Sequence, residues 1–442
     1  MLSVVLFFGM IVIGLWLAFA KHPAFAFVTY QLIYFMNPAS KWWGNLIPEI
    51  GYSFAVVVIM ILLVLRRDGP AGLFKAFEAP ALRWAYLLML LYGLAWFYAI
   101  DVDNHYDAWY NFLKLVVIVS LAYCLVDGER ALGWVINGYI AGAWYMSFYI
   151  FQMGRNSGAR VERMGPVDSP DANGMAAALV PSLILALNGY MSAAKTWQKL
   201  LYAFAGVFIA NALVLINSRA AFLAVVVSVG YFLWVRFFSK FRAKGARKQV
   251  VFVVVAGLAG GVYLADDGFI ERMLTIKEES SVVEEKETGA TRIVFWTAAW
   301  DMAKDHPFGS GYRGFNFRAP QYIPEGVDTG GKVTRSVHST WFEALSEVGY
   351  PGLLALCMML YASFKASLAT RRQLVACGDY EAYYQVVAAL AALGAFMVAM
   401  TFINRLRAEI LYWCVMFVFL YFKVYCMRRE KEQAGVVRGL ND

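Results

Sequence analysis

Long apolar segments separated by short polar ones run along nearly the whole chain. Each has roughly 17 to 25 residues, enough to cross a hydrocarbon core of about 30 Å as a helix. The predicted spans cover residues 3–20, 24–37, 51–65, 82–99, 108–126, 131–151, 173–191, 200–216, 220–236, 249–265, 342–364, 383–403 and 408–426. The pattern predicts an all-α integral membrane protein with about 12 transmembrane helices, or about 13 if residues 1–37 form two spans. The break at Lys21-His22-Pro23 leaves that choice open.

Composition agrees with this fold class. The chain is 61% hydrophobic and 16% charged, far from the balance of a soluble globular domain. The N-terminus lacks a signal-peptidase pattern, so we expect the first helix to remain in the protein. All five cysteines fall in spans or in predicted cytoplasmic loops, so the sequence offers no disulfide or metal-binding spacing.

Basic residues set the predicted orientation, because short loops rich in Lys and Arg stay in the cytoplasm. The clearest such loop, 236–248, carries six basic residues and no acid. Strict alternation then places the longest polar segment, 266–341, on the outer side. Residues 266–339 hold twelve acidic and nine basic residues, a net charge of −3. A nucleic acid partner is therefore excluded.

Several arginines lie on the outer side, against the usual bias. Arg219 occupies Asn217-Ser218-Arg219-Ala220-Ala221, a tight turn between two apolar helices. A charge at this depth requires an anionic neighbour, and a guanidinium binds phosphate bidentately beside the N-terminal amides of the following helix. The turn predicts an outer-leaflet phosphate ligand. The alternative is that such arginines reach lipid headgroups or pair with loop carboxylates.

A second arginine stands at the first turn of a predicted helix. After Thr291, apolar residues recur at helical spacing, at Ile293, Trp296, Trp300 and Ala303. We expect an amphipathic helix along the membrane surface, begun near Arg292 and ended by Pro307, with Gly309 and Gly311 allowing a tight turn. The alternative is a charged residue that merely flanks an interfacial helix.

His338 precedes the next span. Thr340 and Glu343 have the spacing of a capping box for that helix. The positive end of the helix dipole disfavours imidazolium, which keeps the ring available as a general base for a hydroxyl. The alternative is a polar residue in a capping loop.

The outer loop before the span 173–191 holds Arg160, Arg163 and two carboxylates, Asp168 and Asp171. The carboxylates have the chemistry of a divalent-ion site. However, Ser169-Pro170-Asp171 also simply begins the next helix. We predict that no metal binds here.

Four motifs follow one another along the second half of the chain. They are Ser218-Arg219-Ala220-Ala221, Gly289-Ala-Thr-Arg292-Ile-Val-Phe-Trp296, Asp305-His-Pro-Phe-Gly-Ser-Gly-Tyr312 and Val337-His-Ser-Thr-Trp-Phe-Glu-Ala-Leu-Ser-Glu347-Val-Gly349-Tyr-Pro-Gly352. With the many spans and the large outer loop, they resemble the core pattern of the O-antigen ligase and polymerase superfamily over residues 200–360. Residues 272–277 and 168–173 also resemble exosortase-associated O-glycosylation ligases. Ser339 departs from the asparagine that follows the histidine in many members.

The resemblance implies a GT-C-type glycosyltransferase of the bacterial inner membrane, with a large periplasmic loop that contains short amphipathic helices. The donor would be a glycan on undecaprenyl diphosphate and the acceptor the lipid A core, in lipopolysaccharide biosynthesis, by metal-independent inverting transfer. By resemblance, Arg219 and Arg292 meet the diphosphate and His338 assists the acceptor. Further arginines would help to bind the diphosphate or glycan, namely Arg160, Arg163, Arg313 and Arg318. No cofactor is expected.

Two enzymatic alternatives remain, an O-antigen polymerase and a protein O-glycosylation ligase. A transporter of the same lipid-linked sugar is an alternative of another class. Transporters place charges near the midplane and often contain repeats, whereas these charges lie at the outer face and no repeat is visible, which favours the enzyme. The predicted divisions are N-terminal helices at 1–199, the ligase-like core at 200–365, and C-terminal helices with a cytoplasmic tail at 366–442.

Overall fold

The structure is a computed structural model, and it describes residues 2–158, 160–265, 267–274, 289–324 and 335–427. Regular structure in these ranges is helical, which confirms the all-α prediction. The α-helices are α1 (Leu2–Ala20), α2 (Ala24–Met36), α3 (Tyr52–Asp68), α4 (Pro80–Leu94), α5 (Val102–Leu125), α6 (Glu129–Met153), α7 (Ala172–Ser192), α8 (Thr196–Ile216), α9 (Arg219–Phe238), α10 (Ala246–Leu264), α11 (Asp267–Leu274), α12 (Gly289–Asp305), α13 (Gly314–Tyr322), α14 (Thr340–Cys377), α15 (Tyr380–Met400) and α16 (Glu409–Phe422).

Every predicted span coincides with a helix, and ten helices in the described ranges are long and apolar enough to cross a membrane. The chain is thus a multi-pass membrane protein, and the count of twelve stays a prediction. A turn at 21–23 separates α1 from α2. With 13 residues, α2 extends only about 20 Å, short of the hydrocarbon thickness.

Helices from all three predicted divisions pack into one hydrophobic core. The most buried spans are α7, α15 and α16, whereas α1 and α10 are almost entirely at the periphery. Trp413 of α16 lies at the centre, with the rings of Phe27 and Tyr34 at 5.5 and 4.9 Å. Helices that are apolar all round belong in such a position.

Helices α7 to α10 alternate in direction and so define two faces of the protein. The start of α7 and the turn between α8 and α9 meet on one face, through Asn173 and Ser218. We call this the site face. The end of α7 and the basic loop after α9 meet on the other, where Arg236 donates to the carbonyl of Met191. We call this the basic face, and that it lies on the cytoplasmic side stays a prediction from the distribution of basic residues.

Gly349 interrupts α14 with a φ of 71°. A Cβ here would lie 2.0 Å from the carbonyl oxygen of Pro307, so only glycine permits this approach. The amide of Tyr350 donates to that carbonyl at 2.9 Å, and Pro351 has no N–H. The carbonyls that the break leaves open, those of Ser346 and Glu347, instead accept from the amides of 310 and 311 at 2.9 and 3.0 Å. The glycine-rich turn after α12 is thereby fixed against α14.

Candidate functional site

The turn that carries Arg219 has the predicted form. Helix α8 ends at Ile216, Asn217 adopts a left-handed conformation with φ 57°, and Ser218 caps α9. Arg219 is the first residue of α9. Asn217 Nδ2 also donates to the carbonyl of Gly268 at 3.1 Å, which ties the turn to α11. The guanidinium and the open amides of a helix N-terminus therefore share one place on the site face.

Arg160 joins this turn through Asn173. The Oδ1 of Asn173 accepts from Arg160 Nη2 and from Ser218 Oγ, both at 2.9 Å. Burial lowers the pKa of Arg160, the nearby charge of Arg219 lowers it further, and Glu162 and Asp171 oppose both effects. The structure therefore brings two of the predicted arginines together and concentrates positive charge beside the turn.

Asp171 and Asp168 have protein partners. Asp171 caps α7 by accepting from the amide of Gly174 at 3.0 Å, and it forms an ion pair with Arg405. Asp168 accepts from Tyr34 Oη at 2.7 Å and from the amide of Glu409 at 2.8 Å, and burial raises its pKa. In the described ranges no group of three or more His, Cys, Asp or Glu is arranged to hold a metal ion. Metal-independence remains a prediction.

His338 has a φ of 49°, a left-handed conformation that costs a residue with a side chain about 1–3 kcal/mol unless its surroundings impose it. The surroundings do so on both sides. Trp296 Nε1 donates to the carbonyl of Val337 at 3.1 Å. On the other side, the amide of Ser339 donates to Asn404 Oδ1 at 3.0 Å. Thr340 Oγ1 then donates to the carbonyl of Ile403 at 2.7 Å.

Residues 403–405, in the turn between α15 and α16, connect the two halves of the site. The amide of Arg405 donates to Thr340 Oγ1 at 2.9 Å, and its guanidinium pairs with Asp171. Asp171 lies two residues before Asn173, the partner of Arg160 and Ser218. The loop of His338 and the turn of Arg219 are thus held by one continuous set of contacts. Sequence analysis assigned no role to Arg405, and no local pattern marked Asn173 or Asn404.

Arg292 lies one helical turn before Trp296, whose ring stacks on Phe342 with centroids 5.7 Å apart. Helix α12 exists as predicted, and Arg292 stands in its first turn. Of the four predicted apolar positions, Ile293 and Trp300 are exposed, whereas Trp296 and Ala303 lie against the protein. The buried face packs on α13 and α14 and consists of Phe295, Ala298, Ala299 and Met302. Whether α12 lies on the membrane surface stays a prediction.

The capping box at Thr340 and Glu343 is wrong. No side chain caps α14. Thr340 Oγ1 points to the 403–405 turn, and Glu343 instead accepts from the amide of Leu406 at 3.0 Å and from Arg407 Nη2 at 3.1 Å. A half-buried arginine competes more strongly for a carboxylate than an open helix amide does. Sequence reasoning missed this ion pair because its partners are 64 residues apart.

A second polar cluster surrounds Arg407. Its guanidinium contacts Glu343, Glu347 and the hydroxyl of Tyr92. Two of the predicted arginines lie beside this cluster. The amide of Arg313 donates to Glu347 Oε1 at 2.9 Å, and Arg318 Nε donates to Ser310 Oγ at 2.8 Å. His105, to which the sequence assigned no role, accepts from the amide of Tyr312 at 2.9 Å and contacts the carbonyl of Tyr92 with its other nitrogen.

Arg163 lines a cavity of about 470 Å³ on the site face. The remaining lining residues are Asn37, Ala39, Ser40, Glu162, Gly165, Pro166, Val167, Pro170 and Asp171. The buried Lys41 follows the lining residue Ser40, and its Nζ donates to the carbonyl of Met164 at 2.8 Å. Asp171 belongs both to this cavity and to the ion pair with Arg405. The cavity therefore adjoins the contacts that hold His338.

Comparison with protein families agrees with this geometry. Residues 204–357 match a family model described as O-antigen ligase. This match confirms the resemblance to the O-antigen ligase superfamily over residues 204–357. The matched segment is about a third of the chain and includes Arg219, Arg292 and His338. The comparison with curated proteins found no match. The O-antigen ligase segment ends before Asn404 and begins after Asn173, so the candidate site extends beyond it on both sides.

Proposed function

We propose that this protein is an O-antigen ligase, which transfers a glycan from undecaprenyl diphosphate to the lipid A core on the periplasmic side. The observation that carries the proposal is the set of contacts from Asn173 through Asp171 and Arg405 to the loop of His338. This set joins the turn of Arg219 to the loop of the candidate base His338, in a chain whose residues 204–357 match the O-antigen ligase family. Each role below rests on that arrangement.

The donor diphosphate binds at Arg219 and Arg292. Both stand at the first turn of a helix, where open amides and the positive dipole end add to the guanidinium. Arg160 adds positive charge from the adjoining side of Asn173. When the bond between the anomeric carbon and the diphosphate oxygen breaks, negative charge grows on the diphosphate. Fixed cations at that position stabilise the transition state more than the ground state.

The acceptor hydroxyl attacks the anomeric carbon from the opposite face, and His338 takes its proton. A new glycosidic bond forms with inversion, and undecaprenyl diphosphate leaves. The imposed backbone of His338 fixes the direction of its Cα–Cβ bond and so restricts where the ring can meet an acceptor hydroxyl. Positive charge from the arginines serves the role that a divalent ion has in other diphosphate-dependent transfers.

The acceptor approaches through the 470 Å³ cavity, whose volume lies within the usual range for small-molecule sites. Glu162 and Asp171 offer carboxylate acceptors for sugar hydroxyls, while Asn37 and Ser40 offer shorter polar groups. Arg163 suits the phosphate or acid substituents of a charged core oligosaccharide. Arg313 and Arg318, beside the Arg407 cluster, contact the donor glycan beyond the diphosphate.

Purified protein should be incubated with undecaprenyl-diphosphate glycan and, separately, with lipid A core, with a second glycan lipid and with a serine- and threonine-containing peptide. Transfer to lipid A core alone is the expected result. Transfer only to the second glycan lipid or only to the peptide would identify a polymerase or a protein ligase instead. Arg372→Ala is the matched control for arginine variants, since Arg372 is exposed on the basic face.

A further inference from the structure

A second cavity, of about 280 Å³, lies on the basic face, across the membrane from the candidate site. Its walls come from the end of α7 and the beginnings of α8 and α10. They consist of Tyr190, Met191, Lys199, Lys248, Gln249 and Phe252. Nothing in the proposed transfer reaction uses these residues.

Two lysines place positive charge around this cavity. Lys199 lies in the first turn of α8 and Lys248 in the first turn of α10, where the helix dipole is itself positive and disfavours a cation. Within the described ranges neither ammonium has an ion-pair or hydrogen-bond partner. By contrast, Lys75 and Lys304 each pair with an aspartate at 2.7 Å. Two lysines and two helix N-termini around one cavity favour an anion there.

Arg236 adds a third cation behind the cavity wall. Its side chain is 94% buried, and its Nη2 donates at 3.2 Å to the carbonyl of Met191, which lines the cavity. Its Nε and Nη1 are buried and have no hydrogen-bond partner among the described residues. Its guanidinium stacks 4.6 Å from the ring of Tyr384. Arg236 therefore keeps two donors for a further acceptor close to the cavity.

The cavity opens toward lipid. Phe252 is 59% exposed and Val251 is 53% exposed on the same helix, and Trp197 is 56% exposed beside Lys199. Exposed apolar and aromatic side chains at the end of a spanning helix mark the membrane boundary. A ligand here needs an anionic head and an apolar tail, and a soluble anion satisfies only half of that surface.

We propose that this cavity binds one anionic phospholipid from the leaflet on the basic face. Its phosphate lies between Lys199 and Lys248, and an acyl chain runs along Phe252. The proposal is independent of the transfer reaction on the other face.

Native mass spectrometry of the purified protein, titrated with phosphatidylglycerol or phosphatidylcholine, tests it. One bound phosphatidylglycerol per chain is expected, in preference to phosphatidylcholine. Each lysine near anionic lipid contributes about 1 kcal/mol, so Lys199→Gln with Lys248→Gln should weaken binding about 30-fold, and Lys248→Gln alone about 5-fold. The matched control, Lys240→Gln with Lys244→Gln, removes the same charge from exposed positions on the same face and should change affinity less than about 2-fold.

Equal losses in the two double variants would mean diffuse attraction to a basic surface and would overturn the proposal. An unchanged affinity for phosphatidylglycerol in both double variants would also overturn the proposal. Inorganic phosphate should neither compete with the lipid nor raise the unfolding temperature. If inorganic phosphate competes with phosphatidylglycerol at equal concentration, the ligand of this cavity is a soluble phosphate compound and the lipid proposal is refuted. The exposed Lys248→Gln variant keeps the test decisive if the double variant does not fold.

Discussion

Replacing Arg407 with methionine should destabilise the protein more than any other single change on the site face. The guanidinium contacts Glu343 at 3.1 Å, Tyr92 Oη at 2.8 Å and Glu347. The two glutamate side chains are only 5% and 4% exposed. Arg407→Met therefore leaves two carboxylates buried side by side with no cation.

The expected cost follows from that burial. Removing one partner of a buried ion pair costs about 3–5 kcal/mol, because the remaining charge stays desolvated. Protonation of one glutamate limits the loss, so we expect about 3–5 kcal/mol rather than twice that. Domains are stable by only about 5–15 kcal/mol, so the variant should be markedly weakened.

A triple variant separates the effect of the unpaired buried charges from the effect of the changed side-chain shape. Arg407→Met with Glu343→Gln and Glu347→Gln removes all three charges but keeps oxygens that accept from the amides of Leu406 and Arg313. Replacing a whole buried ion cluster with neutral groups of similar volume is often nearly neutral. We expect the triple variant to regain all but about 1–2 kcal/mol.

Denaturant unfolding of detergent-purified protein, followed by tryptophan fluorescence, measures the three stabilities. Arg372→Ala again serves as the surface control. A single variant that loses less than about 1 kcal/mol, or a triple variant no more stable than the single one, would refute the reasoning from an uncompensated buried charge.

Alanine at Arg219 or Arg292 should lower transfer about 10²- to 10³-fold. Lysine should restore it only in part, because lysine lacks the bidentate fork of the guanidinium. Near-normal transfer by both alanine variants at equal membrane levels would refute the proposed binding of the diphosphate by these arginines. His338→Ala should lower turnover about 10²- to 10⁴-fold while donor-lipid binding persists; lost donor binding with normal turnover at saturation would contradict an acceptor-side base. Transfer should persist in excess EDTA, and activity that vanishes there and returns with magnesium or manganese would overturn the arginine-only mechanism. Burial lowers the pKa of Lys41 from 10.5 to about 7, so the folded state binds fewer protons than the unfolded state between these values. Stability should therefore rise from pH 7 to 10.5 by up to about 5 kcal/mol, and unfolding curves of Lys41→Met with an equally steep rise would contradict this.

Local sequence patterns predicted most of the helices and turns of the fold. Apolar segment length placed each spanning helix, and the sequence around Arg219 predicted a tight turn with a helix immediately after it. Pro307 and the glycines that follow predicted the end of α12 correctly. These features depend on neighbours within a few residues, where periodicity and turn chemistry act.

The connections between elements did not follow from such patterns. The pairing of Arg405 with Asp171 joins positions 234 residues apart, and that of Arg407 with Glu343 joins positions 64 apart. Glu343 has the sequence spacing of a capping residue, but in the packed structure it forms an ion pair with the half-buried Arg407 instead. Propensity describes what a residue can do locally, and tertiary contacts decide which option is used.

The same contacts determine how much of the chain the site requires. His338 has a left-handed backbone that its own segment does not favour. Trp296 of α12 and Asn404, in the turn between α15 and α16, impose it through their hydrogen bonds to the neighbouring residues. Asn173 connects Arg160 to the turn of Arg219, and it precedes the O-antigen ligase segment at 204–357. Asn404 and Arg405 follow that segment. An isolated segment 204–357 would therefore keep the three predicted catalytic side chains and lose the contacts that bring them together. The candidate site therefore depends on helices and turns outside the matched segment, because its geometry is a property of their packing.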